Sequence, residues 1–435
     1  MNPLAKELNE ALDKNNPVIL EMLSEMGKAL FFPKGILSQS AEAKQKAKPN
    51  LNATIGIAIE NGQAMHLKSI SRMLPGLEPN SIFPYAPSQG RPDIRKAWQE
   101  KMLRENPSQQ GKVFSLPVVT SALTHGLSIV GDMFLDPGDV ILLPDKFWGN
   151  YRLTYVVRRE AEIRTHNTFT EQGGYDVEAL KKSLEEIGKE KKKIVLILNF
   201  PNNPSGYTPT VEEGQAIADA IKIQAEKGTN IVAVTDDAYF GLFYEDSIKE
   251  SLFGYLANSH ERVLAIKLDG ATKEEYVWGF RCGFITFAPG KTDGSDQVLN
   301  ALEKKTMGCI RGNISNSPNI SQTLVLKALE SPDFITEKAE KFEIMKARAL
   351  KVKEVLGTGK YDDSWDSYPF NSGYFMCIKL KKVDAEALRV HILDKYGVGT
   401  ISINKTDLRI AFSSLEVKDI PEVFDLIYKG AKELE

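Results

Sequence analysis

The chain is poor in cysteine. It has three in 435 residues, Cys282, Cys309 and Cys377, far apart and with no CxxC pair. That spacing argues against a disulfide framework or a structural zinc site, and makes a reducing, cytoplasmic setting the default expectation. An excess of one charge is also missing. Lys and Arg number 55 against 58 Asp and Glu, a formal net charge of −3, so no global basic field favours nucleic acid or an acidic membrane surface. No apolar run approaches the ~20 residues of a membrane span. The first thirty residues are acidic and amphipathic and read as a surface helix, not as a signal peptide. There is no internal repeat, no low-complexity tract, no GxGxxG and no GxxxxGK[ST], so dinucleotide and NTP binding lack their usual loops. What remains is the composition of an ordinary globular protein, 42% hydrophobic and 26% charged, long enough for more than one domain.

The middle of the chain alternates short apolar runs with longer amphipathic ones. Val140–Leu143, Ile194–Asn199, Ile231–Thr235, Val263–Leu268 and Gly283–Phe287 read as strands, several of them apolar on both faces. Amphipathic stretches such as Val211–Lys227 lie between, and Thr210 followed by Glu213 reads as a capping box opening that helix. Such alternation implies a mostly parallel sheet with helices on both faces. After about residue 345 the pattern changes. A charged helix, Lys338–Val355, precedes two strand-like pieces, Gly373–Leu380 and Leu408–Phe412, and a final helix near Asp419–Leu434. This reads as a smaller α+β domain, and residues 1–60, which lack the parallel-sheet rhythm, are expected to pack with it.

Ligands of open parallel sheets bind beyond the C-terminal ends of the strands, so the residues there carry the functional reading. After Ile194–Leu198 comes Asn199-Phe200-Pro201-Asn202-Asn203-Pro204-Ser205-Gly206, a rigid loop with amide donors that by itself is also an ordinary turn. After Ile231–Thr235 comes Asp236-Asp237-Ala238-Tyr239, with a carboxylate that is costly to bury without a cationic partner. After Val263–Leu268 comes Asp269-Gly270-Ala271-Thr272-Lys273, and eight residues beyond that lysine stands Arg281. A neighbouring cation lowers a lysine's pKa and makes it a better nucleophile. Upstream, Ser121-Ala122-Leu123-Thr124-His125-Gly126 precedes an apolar helix read as Leu127–Leu135, whose start offers an anion cup of backbone N–H groups. A phosphate cup, amide and phenol donors, a carboxylate, a strand-end lysine and an arginine together suit pyridoxal phosphate.

With these residues the chain resembles the fold-type I, class I pyridoxal-phosphate aminotransferases, most closely the aspartate aminotransferases, from about residue 50 to 415. The resemblance implies Lys273 as the Schiff-base lysine and Arg281 as a phosphate ligand. It implies Asp236 on the pyridine nitrogen, with Tyr239 and Asn203 on the ring oxygen, and Trp148 stacked on the ring. Tyr85, in Tyr85-Ala86-Pro87-Ser88-Gln89-Gly90, would reach the phosphate of a neighbouring subunit, and Leu123, Thr124, His125 and Thr272 complete the expected cofactor contacts. Arg409, in Leu408-Arg409-Ile410, matches the clamp for the substrate α-carboxylate. Arg311, in the stretch Ile310–Pro318, resembles the partner-chain arginine for a side-chain carboxylate, and Gly56 is a candidate carboxylate contact. Implied with them are an α/β fold with a seven-stranded sheet in the large domain, divisions at 1–63, 64–345 and 346–435, and a homodimer with composite sites. The implied reaction transfers an amino group between an amino acid and a 2-oxo acid, both dicarboxylic. Another reaction of the same cofactor, or other amino acids, is the alternative. The chain departs from the family in three places: Gly270 stands where a Ser is usual, Leu123-Thr124-His125 replaces Ser-Gly-Thr, and Tyr151 falls where a His often lies beneath the Asp.

Overall fold

Residues buried on alternate faces build the central sheet. Along Val140–Pro144 and Lys193–Asn199, Val140, Leu142, Ile194, Leu196 and Leu198 pack into one apolar cluster, while Ile141, Leu143, Val195 and Ile197 pack into another. Such strands are stable only with helices over both faces. The computed structural model describes residues 1–3, 6, 7, 9, 10, 36–54, 56, 58–61, 63–290, 293 and 295–435. The surface helix read from the first thirty residues therefore lies almost wholly outside the described residues.

The large sheet has seven strands: β1 (Val118–Ser121), β2 (Val140–Pro144), β3 (Glu162–His166), β4 (Lys193–Asn199), β5 (Asn230–Asp236), β6 (Val263–Gly270) and β7 (Cys282–Pro289). Their order is β1-β7-β6-β5-β4-β2-β3, and only β7 runs against the rest. The reason is chain length. Residues 271–281 are too few for the helical crossover that a parallel return needs, so the chain turns back on itself. Sequence reading found the five inner strands to within one or two residues at each end. The outer two, β1 and β3, carry no distinctive apolar run.

Helices α1 (Ile36–Lys46), α2 (Pro92–Glu105), α3 (Ala122–Phe134), α4 (Val177–Glu190) and α5 (Val211–Glu226) precede or flank these strands. The capping box of α5 is present in both directions: Glu213 N–H donates to Thr210 Oγ1 (3.2 Å) and Thr210 N–H to Glu213 Oε2 (2.9 Å). One boundary is corrected. The apolar helix expected at Leu127–Leu135 begins five residues earlier, at Ala122, so Leu123–Gly126 form its first turn and not a preceding loop. Ala122 itself takes φ +62, which turns the chain sharply from β1 into α3.

Beyond α6 (Ser295–Asn313) and α7 (Asn319–Leu329) comes the long α8 (Phe334–Leu356), which continues unbroken through residues 345 and 346. It leads into a smaller antiparallel sheet of β8 (Trp365–Ser367), β9 (Met376–Leu380), β10 (Ile401–Ser402) and β11 (Asp407–Ile410), ordered β8-β9-β11-β10. Helices α9 (Ala385–Tyr396) and α10 (Ile420–Leu434) cover it. The N-terminal segment joins this unit: Ala53 N–H donates to Gly399 O, and Ala411 N–H to Ala53 O. Among the described residues, no helix is long and apolar enough to cross a membrane.

The loop after β4 is pinned to the small unit at Gly206, whose carbonyl accepts from the N–H groups of Asn371 and Ser372. Gly206 has φ +77, and a Cβ there would lie 1.9 Å from Phe375 O. Gly206→Ala should therefore lower unfolding free energy by at least about 2 kcal/mol, from left-handed strain plus displacement of the Phe375 backbone. Urea denaturation measures it, and a wild-type midpoint would contradict the packing described.

Candidate active site

Strand register brings the chemistry together. Asn199 pairs with Asp236, Asp236 with Leu268, and Gly270 with Gly283, so β4, β5, β6 and the start of β7 end along one edge. There they line a cavity of about 210 Å³ with Lys273, Asp236, Asn203, Tyr239, Arg409, Arg281, Thr272, Trp148, Leu123, Thr124 and Gly56. Eleven of the fourteen residues singled out from sequence thus share one cavity.

Lys273 sits in a short helical turn, Ala271–Glu274, and its ammonium lies 4.8 Å from the centre of the Tyr239 ring. Among the described residues it forms no ion pair. Burial dominates its ionisation, and although Asp236 pulls the other way, the Arg281 charge adds to burial and the amine is lowered to about 8. Near neutral pH a useful fraction is therefore free base, as a nucleophile or proton carrier requires. The preceding Gly270 has a local cause: a Cβ there would lie 2.7 Å from Cys282 O and from Gly283 Cα. The close approach of β6 and β7 leaves no room for the serine usual at this position.

Asp236 is 3% exposed. Its Oδ2 accepts from the Tyr151 hydroxyl at 2.6 Å, and its Oδ1 from the Ala238 N–H at 3.3 Å. Burial raises its pKa above the ordinary carboxylate value, opposed by Tyr151 and then by Lys273. Tyr151 is itself buried, and burial and the Asp236 charge hold its hydroxyl protonated. It is thus a neutral donor that adds no charge beside the carboxylate. Asp237, next in sequence, faces elsewhere and accepts from Lys267 and Ser251, both at 2.6 Å.

Arg409, on β11, is 1% exposed and enters from the small unit. Its guanidinium stacks 4.1 Å from the centre of the Phe375 ring. It donates to Asn203 Oδ1 (3.0 Å) and Thr54 O (3.2 Å), while its Nε has no partner. Asn203 is held in turn, its N–H donating to Asn199 Oδ1 at 2.8 Å. A planar cation with a free donor at a cavity wall suits a carboxylate.

Leu123, Thr124, Thr272 and Arg281 line the same cavity. Thr272 Oγ1 is buried without a partner. Arg281, at φ +52, is open to solvent and donates to Trp278 O at 3.0 Å. Trp148 packs edge-on against Tyr151.

Three residues stand apart from the cavity. His125 Nδ1 accepts from the Ser121 N–H at 3.1 Å, its Nε2 is buried without a partner, and it does not line the space. Tyr85 is 92% exposed. Arg311 is exposed and donates to Ser315 Oγ at 2.6 Å. Sequence reading did not single out Ala122, Asn199, Ala238 or Phe375 as site residues, although all four line the cavity. Asn199 could have been found as the last residue of a strand, but nothing local marks Phe375.

The family model described as "Aminotransferase class I and II" matches residues 60–427. Among curated relatives, a "Probable aspartate/prephenate aminotransferase" of Aquifex aeolicus (strain VF5) is 26% identical over 276 residues, 61% of this chain and 62% of that one. An "Aspartate aminotransferase" of Bacillus sp. (strain YM-2) is 28% identical over 262 residues, 60% of each. The chain thus spans less than two thirds of the length of either relative. Among solved structures, an aminotransferase from Anaerococcus prevotii superposes with a TM-score of 0.83 at 20% identity, covering 95% of this chain and 99% of that one. A multiple substrate aminotransferase from Thermococcus profundus gives 0.78 at 17% identity, covering 95% and 98%. At those identities the likeness shows the fold.

The Tyr151–Asp236 bond makes a pH-resolved prediction. A carboxyl raised on folding adds stability below its unfolded pKa and loses it as pH rises through the folded value. Tyr151 opposes that rise, so Tyr151→Phe should cost about 1–3 kcal/mol at pH 8 and less at pH 4. Urea denaturation of cofactor-free protein at both pH values checks this, and equal losses would contradict it.

Proposed function

The chain belongs to the class I and II aminotransferases, and from that premise we propose that it moves an amino group from an amino acid to a 2-oxo acid, with pyridoxal phosphate held at Lys273. One observation carries the reading. A partly buried lysine, its amine lowered to about 8 and without an ion pair among the described residues, shares one cavity with Asp236, Asn203, Tyr239 and Arg409. The residues fit that cofactor: among the described residues Thr272 Oγ1 is a buried hydroxyl without a hydrogen-bond partner, in the cavity that Arg281 and the first turn of α3 also line.

Lys273 would hold the aldehyde carbon. Asp236 would hold the ring nitrogen, Asn203 and Tyr239 the ring oxygen, and Trp148 the ring face. The N-terminal turn of α3, with Leu123 and Thr124, would hold the phosphate together with Thr272 and Arg281. When bound, pyridoxal phosphate supplies a carbonyl for amine exchange and a ring that takes up electron density from the substrate's Cα. The chain's residues do the rest. Arg409 receives the α-carboxylate through its free Nε–H and fixes the substrate's orientation. Lys273, as free amine, would take the substrate's Cα proton and deliver it across the nitrogen to the carbon that had been the cofactor's aldehyde. Asp236, kept in register by Tyr151 and the Ala238 N–H, places negative charge where a ring cation is needed. Burial strengthens that pairing.

The proposed substrates are dicarboxylic, aspartate or glutamate with 2-oxoglutarate or oxaloacetate. Arg409 would serve one carboxylate and Arg311 of a second subunit the other. What supports this is the exposure of Tyr85 and Arg311 away from their own cavity, beside the exposed Phe83, Ile314 and Ile320. Elements there are already joined, Ser88 Oγ donating to Ser315 O at 3.0 Å. A two-fold dimer would bring both residues to the partner's cavity. The domain divisions we propose are 1–63, 64–345 and 346–435, with α8 as the connecting helix.

A coupled assay of the purified protein with aspartate, glutamate, alanine, tyrosine and kynurenine against both dicarboxylic oxo acids tests the reading. Lys273→Ala should abolish turnover and the borohydride-trapped adduct, and retained transamination would overturn it. Arg311→Ala should lower kcat/KM for aspartate and glutamate by about 100-fold or more while sparing aromatic and aliphatic substrates, a loss of ~3 kcal/mol. An even loss across the panel would remove the dicarboxylate assignment.

A further inference from the structure

The turn that presents Lys273 to the cavity has a second face. Glu274 and Glu275 follow the lysine, and their side chains are 2% and 1% exposed. Two amines meet them. Lys101 Nζ, from α2, stands 2.6 Å from Glu274, 3.6 Å from Glu275 and 2.6 Å from Glu105. Lys338 Nζ, from α8, stands 3.2 Å from Glu275, 3.6 Å from Glu274 and 3.9 Å from Glu105. Each amine therefore touches each acid. Three carboxylates share two amines, and among the described residues Glu275 Oε2 has no hydrogen-bond partner. The next residue, Tyr276, takes φ +56, a left-handed conformation that a bulky side chain adopts only when its surroundings hold it there.

Burying such a network is no cheaper than packing apolar side chains of the same size. What it adds is direction: each carboxylate has one place in which both amines can reach it. The two anchors come from different parts of the molecule. Lys101 belongs to the large domain. Lys338 belongs to the helix that continues into the small unit, where Lys341 pairs with Glu60 (2.8 Å) and Arg348 donates to Ser413 O (2.5 Å). The small unit also touches the turn directly, the Tyr374 hydroxyl donating to Lys273 O at 3.2 Å.

We propose that Lys338 and Glu275 are positioning residues that fix the turn Ala271–Glu274, hold the Lys273 side chain in the cavity, and tie its seat to the connecting helix α8. The inference rests on the reading of Lys273 as the reacting amine. Without Lys338, three carboxylates crowd one amine, their repulsion moves Glu275, and the strained link at Tyr276 relaxes. The Lys273 amine then gains water.

The test reads Lys273 itself. Competitive reductive methylation of cofactor-free protein over about pH 6 to 11, quantified by mass spectrometry, gives the ionisation midpoint of that amine, with exposed Lys182 as internal reference. Lys338→Met and Glu275→Gln should raise the midpoint toward that of an ordinary lysine, and Lys338→Arg should restore it. In the loaded enzyme the same two variants should lose about 10- to 100-fold in kcat with KM within about twofold, as expected for a misplaced reacting group. An unchanged midpoint in Lys338→Met overturns the proposal, whatever happens to the melting temperature. If that variant does not fold, the isosteric Glu275→Gln decides by the same criterion. Retained turnover in Lys273→Ala would instead strike the reading of the reaction and leave the midpoint result standing.

Discussion

A partly buried lysine that forms no ion pair among the described residues is the constraint on which the rest of this structure depends. The fold holds a contrasting case six residues away. Lys267 is 1% exposed, yet it lies 2.6 Å from Asp237 and 2.9 Å from Asp269, and those carboxylates hold it firmly protonated. Lys273 has no such partner among the described residues, and burial lowers it to about 8. Both lysines follow from the same run of chain. One is a structural cation inside the large domain, and the other is an amine that lines the cavity at its edge.

The same division separates the two aspartates at the end of β5. Asp236 turns toward the cavity and is held by Tyr151, a neutral donor, so its charge remains available to a cation. Asp237 turns away and is consumed by Lys267 and Ser251. Alternation along a strand sends neighbouring side chains to opposite faces, and which face is the cavity depends on which helices cover the sheet. Departures from the family pattern have causes of the same kind. At Gly270, β6 and β7 approach too closely for a Cβ. His125 turns back to cap its own helix start and leaves the cavity to its neighbours.

The connection between the two units runs through few elements. Arg409 arrives from β11, Phe375 from the chain just before β9, and the Gly206 carbonyl is bonded to Asn371 and Ser372. The cavity is therefore closed on one side by residues that a movement of the small unit would carry with them. Helix α8 runs without a break from Phe334 to Leu356, past residues 345 and 346.

Much of this was legible in the residues alone. Apolar runs of β-branched residues marked the five inner strands, and the rule that ligands sit beyond strand ends picked out Asn203, Asp236, Tyr239 and Lys273, because local chemistry is written in local sequence. The helix start at Ala122 was not legible, since its left-handed residue is not a glycine. Nor was Phe375, whose only mark is its position in space. The chain by itself settled which residue types stand at the strand ends. Only tertiary packing decided which of two lysines lost its partners, which of two aspartates met the cavity, and that Glu274 and Glu275 would be buried against Lys101 and Lys338. Burial and ion pairing are properties of what surrounds a side chain, and those surroundings come from segments 30 to 173 residues apart.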